Sequence, residues 1–155
     1  MADNKTTMSL TISNQYPPIW EEANKIFKIE ELGVYPVFTY GNVLYNPFCV
    51  ILTPDLLRHE ETHMEQQEGH PDVAAMWWKR YLQDEYFRID VETEAYGEQY
   101  IFFCRIMKDW NRRTKALWWM GGQLSGPLYG SCLEPSEARY RIKEYVKMNC
   151  PYFVK

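Results

Sequence analysis

Leu56-Leu57-Arg58-His59-Glu60-Glu61-Thr62-His63 is the stretch on which the reading of this chain turns. Just upstream, Thr53 can cap a helix, Pro54 suits its first position, and Asp55 favours the positive end of its dipole. Gly69 can end the helix, so the spacing predicts one from Pro54 to Glu68. Residues four apart on a helix share a face, which lets His59 and His63 point at one cation. Glu60, beside the first of them, can reach a water bound to that cation, whose pKa a zinc ion lowers towards roughly 7. Glu61 lies about 100° further round and should face solvent. Gln67 continues the histidine face and is either a brace for a ligand or an ordinary buried amide.

Two imidazoles need a third protein ligand, with one position left open for chemistry. The stretch Asp90-Val91-Glu92-Thr93-Glu94-Ala95-Tyr96-Gly97-Glu98-Gln99-Tyr100 offers it. On a helix, Glu92 shares a face with Ala95, Tyr96, Gln99, Phe102, Phe103 and Ile106, the stripe that must pack inward. A carboxylate there is costly unless it is paired or bound to metal, which makes Glu92 the candidate ligand. A buried salt bridge from Glu92 to Arg58, Arg88 or Arg105 is the competing reading, and Glu94, on a more polar face, is the alternative ligand. His70 is a further rival. It misses by one residue the register of a third ligand following the second histidine, and it can instead flank the turn Gly69-His70-Pro71.

Outward from these segments, helical punctuation predicts helices over Asp72 to Leu82, Glu85 to Lys108, Trp110 to Gln123 and Pro135 to Met148. The first third reads differently. Leu10 to Ser13, Lys25 to Glu30, Val34 to Tyr40 and Val43 to Tyr45 have strand character, and Gly41-Asn42 suits a two-residue hairpin turn. Ile19 to Lys25 also has the makings of a short helix carrying Ile19, Trp20 and Ile26 inward. The expected fold is α+β: a small N-terminal antiparallel sheet with a hairpin, packed on a mainly helical C-terminal part. One domain over residues 1–155 is expected, with residues 1–33 the least firmly assigned.

With 155 residues, 46% of them apolar, the chain can bury one real core. A net charge of −4 without a basic cluster argues against a nucleic-acid partner. Neither a signal-like N-terminus nor an apolar run of membrane length is present, so no membrane partner and a cytoplasmic location are expected. Cys49, Cys104, Cys132 and Cys150 lack close pairs and read as free, mostly buried thiols. The Trp77-Trp78 and Trp118-Trp119 pairs read as packing at core and rim.

With His59-Glu60-x-x-His63 followed by Glu92-x-x-Ala95-Tyr96, the chain resembles the gluzincin group of zinc metallopeptidases, and most of all very small members from bacteriophage genomes. The likeness extends through Tyr40-Gly41-Asn42-Val43-Leu44-Tyr45-Asn46-Pro47, Trp77-Trp78-Lys79-Arg80-Tyr81-Leu82 and Leu124-Ser125-Gly126-Pro127-Leu128-Tyr129-Gly130, and covers roughly Val34 to Ile142. It implies a minimal zincin-like fold in which His59, His63 and Glu92 bind Zn2+, with Glu60 as base and acid. A peptide or protein substrate is then expected to lie along the hairpin edge. Tyr129 is a candidate oxyanion donor, with ordinary packing as its competing role. Larger relatives often carry aspartate where this chain has Tyr96, whose hydroxyl could support a motif histidine instead. A non-enzymatic phage structural or assembly protein, keeping the metal site and meeting virion or assembly partners in the host cytoplasm, is the alternative function.

Overall fold

The computed structural model describes residues 8–154. Strand β1 (Thr11–Ser13) is followed by helices α1 (Trp20–Phe27) and α2 (Ile29–Leu32), then by the hairpin β2 (Phe38–Tyr40) and β3 (Val43–Tyr45). Five helices complete the chain: α3 (Pro54–Gln66), α4 (Pro71–Gln83), α5 (Glu85–Ile106), α6 (Trp110–Leu124) and α7 (Pro135–Asn149), with a 3-10 turn at Pro127–Tyr129 before the last. The α+β class is as expected, but the sheet is mixed. Its order is β1-β3-β2, with β2 antiparallel and β1 parallel to β3. Parallel pairing needs a long crossover, and the two short helices between β1 and β2 supply it.

The hairpin forms on its expected turn, with Gly41 at φ +64°, where a side chain would be strained. Lys25 to Glu30, by contrast, is not a strand. It is the end of α1, a left-handed Lys28 at φ 52°, and the start of α2. The Asn24 side chain explains the geometry: its Oδ1 accepts from the Glu30 N–H at 3.0 Å and its Nδ2 donates to the Glu30 carboxylate at 3.0 Å, clamping two helices around one residue. In α1 it is Trp20, Ala23 and Phe27 that turn inward, while Ile26 is exposed.

Helix α5 is the spine, packed against α3, α4, α6 and α7. Gly97 permits part of this packing, since a Cβ there would meet the Tyr145 ring of α7 at 2.1 Å. Among the tryptophans, Trp77 and Trp78 are buried, whereas Trp118 and Trp119 are exposed and Arg139 stacks over Trp118 at 3.6 Å. All four cysteines are free, but only Cys104 is buried; Cys49 is exposed and the other two are half-buried. No helix among the described residues is long and apolar enough to cross a membrane.

Gln67, just past the end of α3, ties that helix to the sheet. Its Oε1 accepts from the Gly41 N–H at 2.8 Å and its Nε2 donates to the Thr39 carbonyl at 3.0 Å, so a buried side-chain amide pairs with the outer edge of β2 as a neighbouring strand would. Its side chain braces the hairpin and hydrogen-bonds to neither imidazole. Gln67→Ala strands the buried Gly41 N–H and is expected to cost about 1–3 kcal/mol, read as a lower urea midpoint at unchanged slope.

Candidate metal centre

Helix α3 starts at Pro54 with Thr53 in the N-cap position, although the Thr53 side chain makes no capping bond. Its inward face carries His59, Glu60 and His63, all buried. Glu61, as expected, stays at the solvent side, 3.6 Å from Arg58. From the facing helix α5, buried Glu92 projects between the imidazoles: Oε2 lies 3.3 Å from His59 Nε2 and Oε1 lies 3.4 Å from His63 Nε2, while the two Nε2 atoms are 3.1 Å apart. These three residues form a buried group that can hold a metal ion. Of the three arginines proposed as partners for Glu92, Arg105 is exposed and the other two are engaged elsewhere. Arg58 pairs with Glu61, Glu65 and Glu98, and Arg88 donates to the carbonyls of Tyr81 and Tyr129. Glu94 lies outside the cluster, half-buried, and His70 caps α4 by accepting from the Asp72 N–H at 3.2 Å.

The hydrogen-bond partners fix which imidazole nitrogens carry protons. Gln99 donates through Nε2 to Asp55 at 2.8 Å, so its Oε1 faces His59 Nδ1 at 3.1 Å. Gln66 donates through Nε2 to the Val91 carbonyl at 3.0 Å and turns its Oε1 to His63 Nδ1 at 2.9 Å. Each amide oxygen can only accept, so each Nδ1 must donate, and in the neutral ring each Nε2 is left with a lone pair. Two such lone pairs and a carboxylate, converging within 3.4 Å, repel one another unless a cation or a proton sits among them. Glu92 Oε2 also has no hydrogen-bond partner among the described residues although it is buried. The donor set therefore fits a divalent cation.

None of these braces was assigned a role from sequence. Gln99 stands two helical turns beyond Glu92 on the face already marked as inward, and Gln66 follows His63 by three, so both carried a weak positional signal. Tyr81 carried none: its hydroxyl, arriving from α4, donates to Glu92 Oε1 at 2.6 Å. Thr39 of β2 likewise donates to Glu60 Oε2 at 2.8 Å, fixing the carboxylate that the cluster faces. Tyr96 does not bond a histidine through its hydroxyl. It lays its ring against His59, with centroids 4.5 Å apart, and shares a 2.9 Å hydrogen bond with the Tyr129 hydroxyl.

Burial pushes the Glu60 carboxyl above the usual carboxylate range, overcoming the opposing pull of both histidines and of the Thr39 hydroxyl. Burial alone would lower His63, but the neighbouring Glu92 charge outweighs it and raises the imidazole to about 9. In the metal-free protein, protonated His63 therefore contributes stability that is complete below the ordinary value of 6.5 and is lost as pH rises through about 9. A bound metal displaces that proton, so the two pH dependences oppose each other. Thermal melts without metal should decline between these pH values, while metal affinity measured calorimetrically should rise over the same interval.

His59, Glu60, His63 and Glu92 line a cavity of about 560 Å³, together with Tyr96, Tyr129 and the approach to β2. The Thr39 carbonyl on the outer edge of β2 is already occupied by Gln67 and by Trp78 Nε1, which donates at 2.9 Å. It is the preceding stretch, Val34 to Phe38, that faces the cavity. Comparison of the chain with protein-family models, with curated proteins and with solved structures finds no match.

Proposed function

We propose that this protein is a zinc-dependent hydrolase that cleaves peptide bonds. The observation that carries the reading is Glu60: a buried carboxylate with a raised pKa, oriented by Thr39, lining the same cavity as a His, His, Glu cluster. Zinc is the favoured ion because two neutral imidazoles and one carboxylate are its usual catalytic ligand set. Ligand bonds of about 2.0–2.1 Å in a tetrahedron separate ligand atoms by about 3.3–3.4 Å, close to the 3.1, 3.3 and 3.4 Å found here. When bound, zinc supplies a Lewis acid that polarises the scissile carbonyl and acidifies water.

The chain's own residues do the rest. Glu60 takes the proton of the attacking water and returns it to the departing nitrogen, a double role suited to a carboxyl that burial holds towards its neutral form. Thr39 keeps it aimed. Gln66, Gln99 and Tyr81 hold the three ligands in place, and the Tyr96–Tyr129 hydroxyl pair offers a donor to the oxyanion. The likeness to gluzincins in the spacing His59, His63, Glu92 supports the same reading. Incubating the zinc-loaded protein with a mixed peptide library tests it: cleavage that chelation abolishes and zinc restores is expected. A library left intact, together with a large fall in melting temperature on chelation, would favour a metal kept for stability in an assembly protein.

A further inference from the structure

The cavity beside the cluster extends well past the cluster. Its volume of about 560 Å³ is that of a site for a sizeable ligand, and away from the metal residues its lining is mostly apolar and aromatic, with Thr39, Gln99 and Gln123 as polar exceptions. Phe27, Ile29 and Val34 from the N-terminal part and Trp119, Gly122 and Leu128 from the end of α6 and the turn after it are among the residues that line it. Among the described residues, His59, Glu60, His63 and Glu92 are its only histidine or carboxylate lining residues, and no lysine, arginine or aspartate lines it. A charged group entering it therefore finds no counter-charge beyond the cluster, whereas apolar surface finds partners.

Gly122 is the telling position. A glycine inside a helix weakens it, so its presence needs a reason. For the neighbouring Gly121 packing supplies one, since a Cβ would meet the Arg139 side chain of α7 at 2.3 Å. Around Gly122 a Cβ meets nothing within 4 Å. Trp119, Gly122 and Gly126 all line the cavity, at the spacing of one helix face continued past its end, so the missing side chain at 122 leaves cavity space open.

We infer that this chamber is a subsite for one bulky apolar side chain of the peptide substrate, next to the scissile bond, and that Gly122 is the residue that keeps it open. The inference rests on the hydrolase reading and adds a preference to it. Hydroxamic acids test it without a known substrate, because the hydroxamate group engages an open metal while the attached group probes the chamber. With the zinc-loaded protein, 3-phenylpropanohydroxamic acid is expected to bind at least about tenfold tighter than acetohydroxamic acid. Succinic acid monohydroxamate, which carries a carboxylate instead, should gain nothing. Gly122→Leu, at an exposed helical position where leucine is well tolerated, should collapse the ratio of the first two towards one, and Gly122→Ala should leave it intermediate. Equal affinities in the parent, or a ratio that survives Gly122→Leu, would overturn the subsite and leave the metal reading standing. Failure of acetohydroxamic acid itself to bind the zinc-loaded protein would overturn the open metal site and the subsite with it.

Discussion

Glu92→Ala is expected to leave the purified protein with almost no bound zinc, and the parent to carry about one ion per chain. Three protein ligands are the minimum for a catalytic zinc, and removing one leaves two imidazoles held 3.1 Å apart with no negative charge to offset a dication. His59→Ala should lose the metal as completely. The loss has to exceed that from removing a brace: Gln99→Leu frees the His59 ring without removing a ligand and is expected to weaken zinc binding by about 10–100-fold. Glu94→Ala and His70→Ala should retain the ion, because Glu94 stands outside the cluster and His70 is spent on the cap of α4. Metal analysis after dialysis against a weak chelator checks all five variants together. Zinc retained in Glu92→Ala would mean that the ion sits elsewhere.

Much of the helical part was legible because helix ends are local chemistry. Pro54 and Pro71 at first positions, Gly69 at φ +59° after α3, and Asp84 and Asp109 accepting from the Phe87 and Arg112 N–H groups all act within a few residues of their place in sequence. Predicted and observed boundaries of α4 to α7 accordingly differ by at most two residues, and the starts of α5, α6 and α7 coincide. Lys25 to Glu30 failed for the converse reason: a left-handed lysine gives no advance notice, and the Asn24 clamp becomes visible only once the turn exists. Parallel pairing of β1 was hidden in the same way, since nothing in Thr11–Ser13 encodes the direction of its neighbour.

The candidate centre divides along a similar line. His59, Glu60 and His63 could be read from one helix, and Glu92 from the cost of burying an unpaired carboxylate in an apolar stripe. Thr39 and Tyr81 could not. They arrive from β2 and α4, separated from Glu60 and Glu92 by 21 and 11 positions, and only the packing of those elements onto α3 and α5 brings their hydroxyls to the carboxylates. Periodicity even pointed to the wrong glutamine: Gln67 lies four residues after His63 on the inward face and serves the hairpin, while Gln66, at the edge of that face, reaches His63.

Glu60→Gln separates the metal from the chemistry. The amide matches the carboxylate in size and can still accept from Thr39, so zinc content and melting temperature should stay close to those of the parent. Hydrolysis should fall by about 10²–10⁴-fold, because an amide can neither accept the proton of water nor deliver one to the leaving nitrogen. Thr39→Val makes the complementary cut. It leaves the carboxylate but removes the hydroxyl that aims it and opposes its raised pKa, so Glu60 is expected to hold its proton to still higher pH. The acid limb of its rate profile should then move upward while the plateau stays above that of Glu60→Gln. A Glu60→Gln protein that retained zinc and cleaved the library at the parental rate would remove Glu60 from the reaction. The cluster would then be left with binding and no chemistry, since among the described residues no other lining residue away from the three ligands offers a carboxylate or an imidazole.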